Sequence, residues 1–540
     1  MVSIFDYPVF GVALLVASLA LAVAVLGWAG VSGSRAREAV QERFVWGVPW
    51  GSLVVVGWLL FVFYVLQDGW DGRPVVVAFM AFSLFEPSGW LLGGFAHSSV
   101  SHLRGNLTTT LVFAPIVEYA WGHYPPEDRR KYEPSWARMP VVRAFVLFPI
   151  GIGALGILIT LFSWGPVIGF SIVAFALIGC ALIHYPIIAL LGLVIRAGLR
   201  VGLRSIRDPI TITEASVRVV RPSWYGVAVQ GHLLGLLVGV LIGIALLQYR
   251  RRSPDPARTW ISALLLGLYL SIWAIWWVLG PEEFVLFRAV GVAIVVMVAT
   301  IVTLGAMWRS PGPLRIPEIG PKAAVLIILL AVMSMGVVGV GLNLTVAESP
   351  VGEPAVTIDG YDVYYGENVP DGMLGVVDTE ILGIDTAVTT SGVIVVNEDR
   401  HIWYRAVPAR NLETHGVQRF EIGGIGWSES VFAVRRGWAP VGNESVYHIR
   451  VGQPGELSPA FASEESRAQP VIDGHQFTLD TEDGVFLLRV ERNNETASVD
   501  IPETNESVQI LDVEISRAEG ELIATSDDTR VAIAHEEEYE

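Results

Sequence analysis

The chain has 540 residues, of which 52% are hydrophobic and 18 are tryptophan, and its mean hydropathy is +0.52. Long uncharged runs recur at near-regular intervals, so the composition excludes an ordinary soluble globule and points to a polytopic membrane protein. The net charge of −17 is unevenly divided: residues 351–540 carry 36 acidic against 12 basic side chains, whereas the first 350 carry 24 basic against 17 acidic. No nucleic-acid partner is expected of so acidic a chain. Only two lysines occur, Lys131 and Lys322, and an acidic, lysine-poor exterior suits concentrated salt, which predicts a halophilic source. The single cysteine, Cys180, lies in an apolar run, so no disulfide can hold the acidic tail together.

Taken in chain order, apolar runs of spanning length fall near 9–31, 48–66, 97–121, 142–163, 168–184, 186–203, 226–247, 259–279, 284–307 and 323–344. The runs on either side of Pro186 count separately, because one helix over both would be about 54 Å long against a hydrocarbon core of about 30 Å. With ten spans, four basic clusters share one side, which is predicted to be cytoplasmic. They are Arg35, Arg37 and Arg43; Arg129, Arg130 and Lys131; Arg250, Arg251 and Arg252; and Arg309, Arg315 and Lys322. The N-terminus and the tail are then both outside. Arg196, Arg200 and Arg204 run against this pattern and are expected to snorkel or pair. From about residue 350 the pattern changes: "VYHIRVG", "HQFTLD", "VFLLRVE", "VQILDVEIS" and "RVAIAHE" alternate apolar and polar residues between turn-forming ones, as strands of a sandwich or small barrel do.

Three polar stretches interrupt the apolar runs. "GGFAHSSVSHLRGNL" places His102 and Asn106 four apart on one helix face, with His97 one turn above and about 140° round. Glu118 is about 18 Å further along the same helix, so it cannot complete a metal site with the histidines, and no metal is expected. "GFSIVAFAL" opens a short span with Ser171 at its outer end. "GHLLGLLVGVLIG" carries His232 on a helix with Gly231, Gly235, Gly239 and Gly243 spaced every four residues, which lets backbones approach closely in lipid. His232, Gly235 and Gly239 share one stripe, so the imidazole and the close approach face the same neighbour. Each stretch alone also fits a structural reading, in which glycines pack, histidines bond across helices and Ser171 bonds back to its own helix.

Together these residues resemble the rhomboid family of intramembrane serine proteases. His97, His102 and Asn106 match its His-x4-His-x3-Asn pattern; Glu118 and Gly122 match a Glu and a Gly further down that helix. Gly169-Phe170-Ser171 matches the Gly-x-Ser nucleophile motif, and His232, Gly235 and Gly239 match His-x2-Gly-x3-Gly. The four occur in the family's order. The resemblance covers about residues 48–247 and implies an all-α polytopic membrane protein. In it a rhomboid-like six-helix core (48–247) is flanked by an extra N-terminal span (1–47) and additional helices (248–345), about four extra spans in all. An acidic extracellular all-β domain (350–540) follows.

The resemblance also implies a chemistry. Ser171 would be the nucleophile and His232 its base, while His102, Asn106 and the Ser171 N–H would stabilise the oxyanion. Phe175 would support the imidazole, and His97 would position water or the external loop. No cofactor is implied. The partners would be membrane lipid and other membrane proteins, cleaved within a transmembrane segment. The chain departs from the family in having Ile172 where Gly usually follows the serine, Phe175 where Tyr is frequent, and Gly231 where Ala commonly precedes the histidine. Ile172 adds bulk beside the nucleophile, so a catalytically inactive relative that holds client helices is the alternative. A transporter or sensor is a third reading, but the chain shows no pair of similar halves with broken helices.

Overall fold

The structure, a computed structural model, describes residues 8–28, 34–81, 83–124, 134–164, 166–207, 228–250, 252–278, 284–307, 319–344, 352–372, 389–482 and 484–539. Arg129, Arg130, Lys131, Arg251, Arg309, Arg315, the side chain of Arg35 and the join at 345–350 lie outside the described residues. The chain forms two units, Met1–Leu344 and Thr345–Glu540.

The first unit is helical. Its helices are α1 (Pro8–Trp28), α2 (Ser34–Gln41), α3 (Trp50–Phe61), α4 (Pro87–Leu92), α5 (Val100–Trp121), α6 (Pro140–Val142), α7 (Phe148–Phe162), α8 (Ser171–His184), α9 (Pro186–Arg207), α10 (Val229–Tyr249), α11 (Pro256–Tyr269), α12 (Arg288–Ala306) and α13 (Ile319–Leu342). Among the described residues, five segments are long and apolar enough to cross a membrane: Pro140–Phe162, Pro186–Arg207, Val229–Tyr249, Arg288–Ala306 and Ile319–Gly341. Trp50–Leu66 and Ser171–His184 are shorter apolar helices. This unit is therefore the membrane part of the protein.

At its centre lies α8, whose residues from Ile172 to Ile183 are buried apart from Phe175. A helix buried on nearly every side must be apolar all round, and "IVAFALIGCALI" is. Its tightest neighbour is α10. A Cβ on Gly235 would stand 2.2 Å from the Ile172 carbonyl oxygen and one on Gly239 1.9 Å from that of Ala176, while Gly179 of α8 would collide with the Leu236 carbonyl at 2.3 Å. Only glycine permits this backbone contact, which lets two helices meet without a hydrophobic driving force between them.

Two expectations are corrected. The helix expected from residue 97 starts at Val100, because Ser99 is its N-cap and accepts a hydrogen bond from the His102 N–H at 3.2 Å. His97 is therefore not on the helix, and the 140° offset does not apply to it. The span expected over 259–279 stops at Tyr269. Ser271 takes a left-handed φ of 58°, and Trp276–Val278 (β1) pairs antiparallel with Phe284–Leu286 (β2). Length and apolarity alone do not distinguish a buried strand from a continuing helix, and the aromatic run "WAIWWV" has strand propensity.

Among its described residues, the second unit is all β apart from the short helix α14 (Ala409–His415). Strands β3 (Val356–Ile358), β4 (Tyr361–Pro370), β5 (Thr389–Asn397) and β6 (Ile402–Pro408) form one antiparallel sheet in chain order. After them come β7 (Val417–Gly424), β8 (Trp427–Pro440), β9 (Val446–Gln453) and β10 (Glu456–Ala462), then β11 (Ser466–Arg467), β12 (Gln476–Glu482), β13 (Val485–Arg492) and β14 (Glu495–Asp500), and finally β15 (Ser507–Ile510), β16 (Val513–Ala518), β17 (Glu521–Ser526) and β18 (Thr529–Glu536). An eight-stranded sheet runs β10-β9-β8-β18-β17-β16-β15, with β7 also on β8, and a four-stranded sheet runs β11-β12-β13-β14. Phe477, Leu479, Leu488 and Val490 pack with Val446, Ile515 and Leu522 in one core. Inward apolar residues alternate with outward polar ones, as in the burial of β12.

Candidate active site

Ser171 is the first residue of α8. The preceding Gly169 has φ 125°, a conformation that a side chain would strain, and its N–H donates to the Gly93 carbonyl at 2.8 Å. That turn leaves Ser171 at the mouth of the helix, with the helix's free N–H groups around it. His232 stands on the first turn of α10, where the contact between α8 and α10 brings its Nε2 to 3.1 Å from Ser171 Oγ. The hydroxyl is thus in hydrogen-bond reach of an imidazole and does not bond back into its own helix.

The imidazole is held by stacking. The Phe175 ring lies one turn below Ser171, 4.1 Å from the His232 ring and 10° from parallel to it. His232 Nδ1 is buried and has no hydrogen-bond partner among the described residues. A serine–histidine pair without a carboxylate results, in which packing replaces the third group that usually orients the ring.

His102 and Asn106 approach the same spot from α5. A Cβ on Gly169 would lie 2.5 Å from His102 Cε1, 2.7 Å from His102 Nε2 and 3.6 Å from Asn106 Nδ2. Asn106 Nδ2 is buried and makes no hydrogen bond within the described residues. His102 Nδ1 lies 3.2 Å from Ser98 Oγ; if the hydroxyl donates there, the ring proton sits on Nε2, which faces Gly169. In that tautomer two side-chain donors converge beside the N-terminus of α8, where developing negative charge would be stabilised.

The remaining residues divide into two groups. His97 is wholly buried in the loop before α5, with its ring 5.1 Å from that of His102 and nearly perpendicular to it. Gln67, which the sequence reading missed, clamps this loop: its Oε1 accepts from the His97 N–H at 2.8 Å, and its Nε2 donates to the His97 and Val75 carbonyls at 3.1 and 2.8 Å. Glu118 is not brought to the site. Near the far end of α5 it accepts from the N–H groups of Gly51 and Ser52, at 3.0 and 2.8 Å, and from the Ser52 hydroxyl at 2.7 Å, and it pairs with His123 at 2.7 Å. Gly235 and Gly239 act through helix contact alone.

Ile172, expected to crowd the nucleophile, is buried between α8 and α10. A Cβ on Gly231 would meet its Cδ1 at 2.8 Å and one on Gly235 its Cγ2 at 3.0 Å. Its bulk occupies space that Gly231 leaves open. The two departures from the motif pattern are complementary in shape.

No family model, no curated protein and no solved structure matches this chain.

Proposed function

We propose that the chain is an intramembrane serine endopeptidase of the rhomboid type, with residues 48–247 as its six-helix catalytic core. The observation that carries this reading is the 3.1 Å approach of His232 Nε2 to Ser171 Oγ at the start of a buried helix in a membrane protein. A serine hydroxyl is a weak nucleophile, and His232 would take its proton as Oγ attacks a peptide carbonyl, then return that proton to the leaving amine. The resulting oxyanion would meet Asn106 Nδ2, His102 Nε2 and the Ser171 N–H. Water resolves the acyl-enzyme with His232 again as base.

The substrate is a transmembrane segment of another protein, unwound near the membrane surface so that its peptide bond reaches Ser171. The asymmetry of the basic clusters supports placing the N-terminus and the acidic tail outside a halophile's cell membrane. An impermeant maleimide should therefore label a cysteine introduced at Ser445 in intact cells, since the native Cys180 is buried; protection until lysis would reverse the orientation. The activity itself is tested by reconstituting the protein in vesicles at high salt with a panel of single-span test proteins. Cleavage within a span, lost in Ser171→Ala, supports the reading. Stable binding of spans without cleavage supports the inactive-relative alternative.

A further inference from the structure

Away from the serine, the C-terminal end of α5 gathers cations. Arg250, which caps α10, donates from Nη2 to the Trp121 carbonyl at 2.5 Å. Arg143 donates to the Gly122 carbonyl at 3.4 Å and lies 4.6 Å above the Trp121 ring. Arg43 lies over the Tyr119 ring at 5.6 Å, with its guanidinium against Gly122. Arg252 adds a fourth charge within electrostatic range of Arg250. Cations complement the negative end of a helix, and one guanidinium would satisfy the last carbonyls. Arg43 and Arg250, from separate parts of the chain, together exceed that need. Each carries five donors, and among the described residues neither Arg43 nor Arg250 forms an ion pair with a carboxylate.

Trp121 joins this cluster to a second feature. Its ring also lines an apolar groove of about 240 Å³ between α5, α7, α8 and α10, walled by Leu147, Gly151, Leu155, Cys180 and Leu246. The groove is almost wholly carbon-lined and has its cationic end at the helix termini, where lipid headgroups lie. Basic pockets between transmembrane helices recognise anionic headgroups in this way.

We propose that this is a binding site for an anionic phospholipid, with the phosphate held by Arg43 and Arg250 and one acyl chain laid along the groove past Trp121 and Gly151. Charge complementarity selects the headgroup, and the adjoining groove selects a lipid over a free anion. The proposal does not depend on the serine chemistry.

Native mass spectrometry of the full chain in detergent tests it, using dioleoyl phosphatidylglycerol, dioleoyl phosphatidylcholine of the same chain length, and inorganic phosphate as competitor. One phosphatidylglycerol should be retained at least about tenfold more strongly than phosphatidylcholine, and phosphate should not displace it. Arg250→Gln should reduce retention by about tenfold or more. Gly151→Leu fills the groove where a Cβ meets nothing within 4 Å, so it should keep the wild-type melting temperature and still lose the lipid. Equal retention of the two lipids, or unchanged retention in Gly151→Leu, overturns the proposal; displacement by phosphate shows an anion site without a lipid.

Discussion

The rings of Phe175 and His232 stack 4.1 Å apart and 10° from parallel, and this contact is the imidazole's main orienting partner among the described residues. An aromatic pair of this kind contributes about 0.5–1.5 kcal/mol beyond its buried area. Phe175→Leu should therefore slow turnover by roughly two- to tenfold with little change in melting temperature, and Phe175→Tyr should keep the rate. The pH–rate profile separates this from a structural effect, because His232 acts as a base only when neutral and a loosely held ring shifts the acidic limb. An unchanged profile and rate in Phe175→Leu would remove Phe175 from the account.

The glycine contacts set the spacing of Ser171 and His232. Gly239→Ala drives a Cβ against the Ala176 backbone at 1.9 Å, which only separation of α8 and α10 relieves, so it should cost about 1–3 kcal/mol and abolish activity. Gly231→Ala presses only on the flexible end of Ile172, and Ile172→Val should rescue it. Thermal unfolding in detergent, read beside activity, distinguishes the two.

If Asn106 and His102 serve the proposed oxyanion site, replacing either with Ala should lower turnover by roughly 10- to 1,000-fold while client binding and folding persist, since their donors would act on charge that exists only in the transition state. Ser98→Ala should give a smaller loss, because it removes only the partner of His102 Nδ1. Parallel loss of folded protein and activity would instead make these residues structural.

In the tail, Arg435 donates to Glu537 through Nη2 at 2.7 Å and Nε at 2.9 Å. Burial pushes the Glu537 carboxyl up, but the hydrogen bonds and charge of Arg435 outweigh it and hold the group below its ordinary value. A carboxyl depressed in the folded state stabilises the fold above its unfolded pKa, and that contribution is lost as pH falls through the folded pKa. Hydrogen exchange of β8 and β18 in the full chain should accelerate on acidification below about pH 4.5, and Glu537→Gln should be faster at neutral pH with a flatter acid response.

Much of the arrangement was legible because polar residues and glycines at helical spacing stand out in apolar runs. Ser171, His232 and the glycines below it mark two faces that must meet, and Asn106 one turn after His102 marks a third. The role of Glu118 was not legible, because two of its four donors are the backbone N–H groups of Gly51 and Ser52, which any residue could supply. Gln67 was missed for the same reason: it binds the backbone of His97 across 30 residues of chain. His97 was misplaced although a signal existed, since Ser99 three residues before His102 is an N-cap pattern. Ile172 looked like an obstruction because a sequence gives its volume and not its direction.

The central claim is that His232 makes Ser171 nucleophilic. Purified protein in detergent at high salt should react with a fluorophosphonate at Ser171, with labelling absent in Ser171→Ala and sharply reduced in His232→Ala, because without the imidazole the serine reverts to ordinary alcohol reactivity. A folded wild type that stays unlabelled, while maleimide still modifies Ser171→Cys, would contradict the account by showing an open cavity that contains no activated serine.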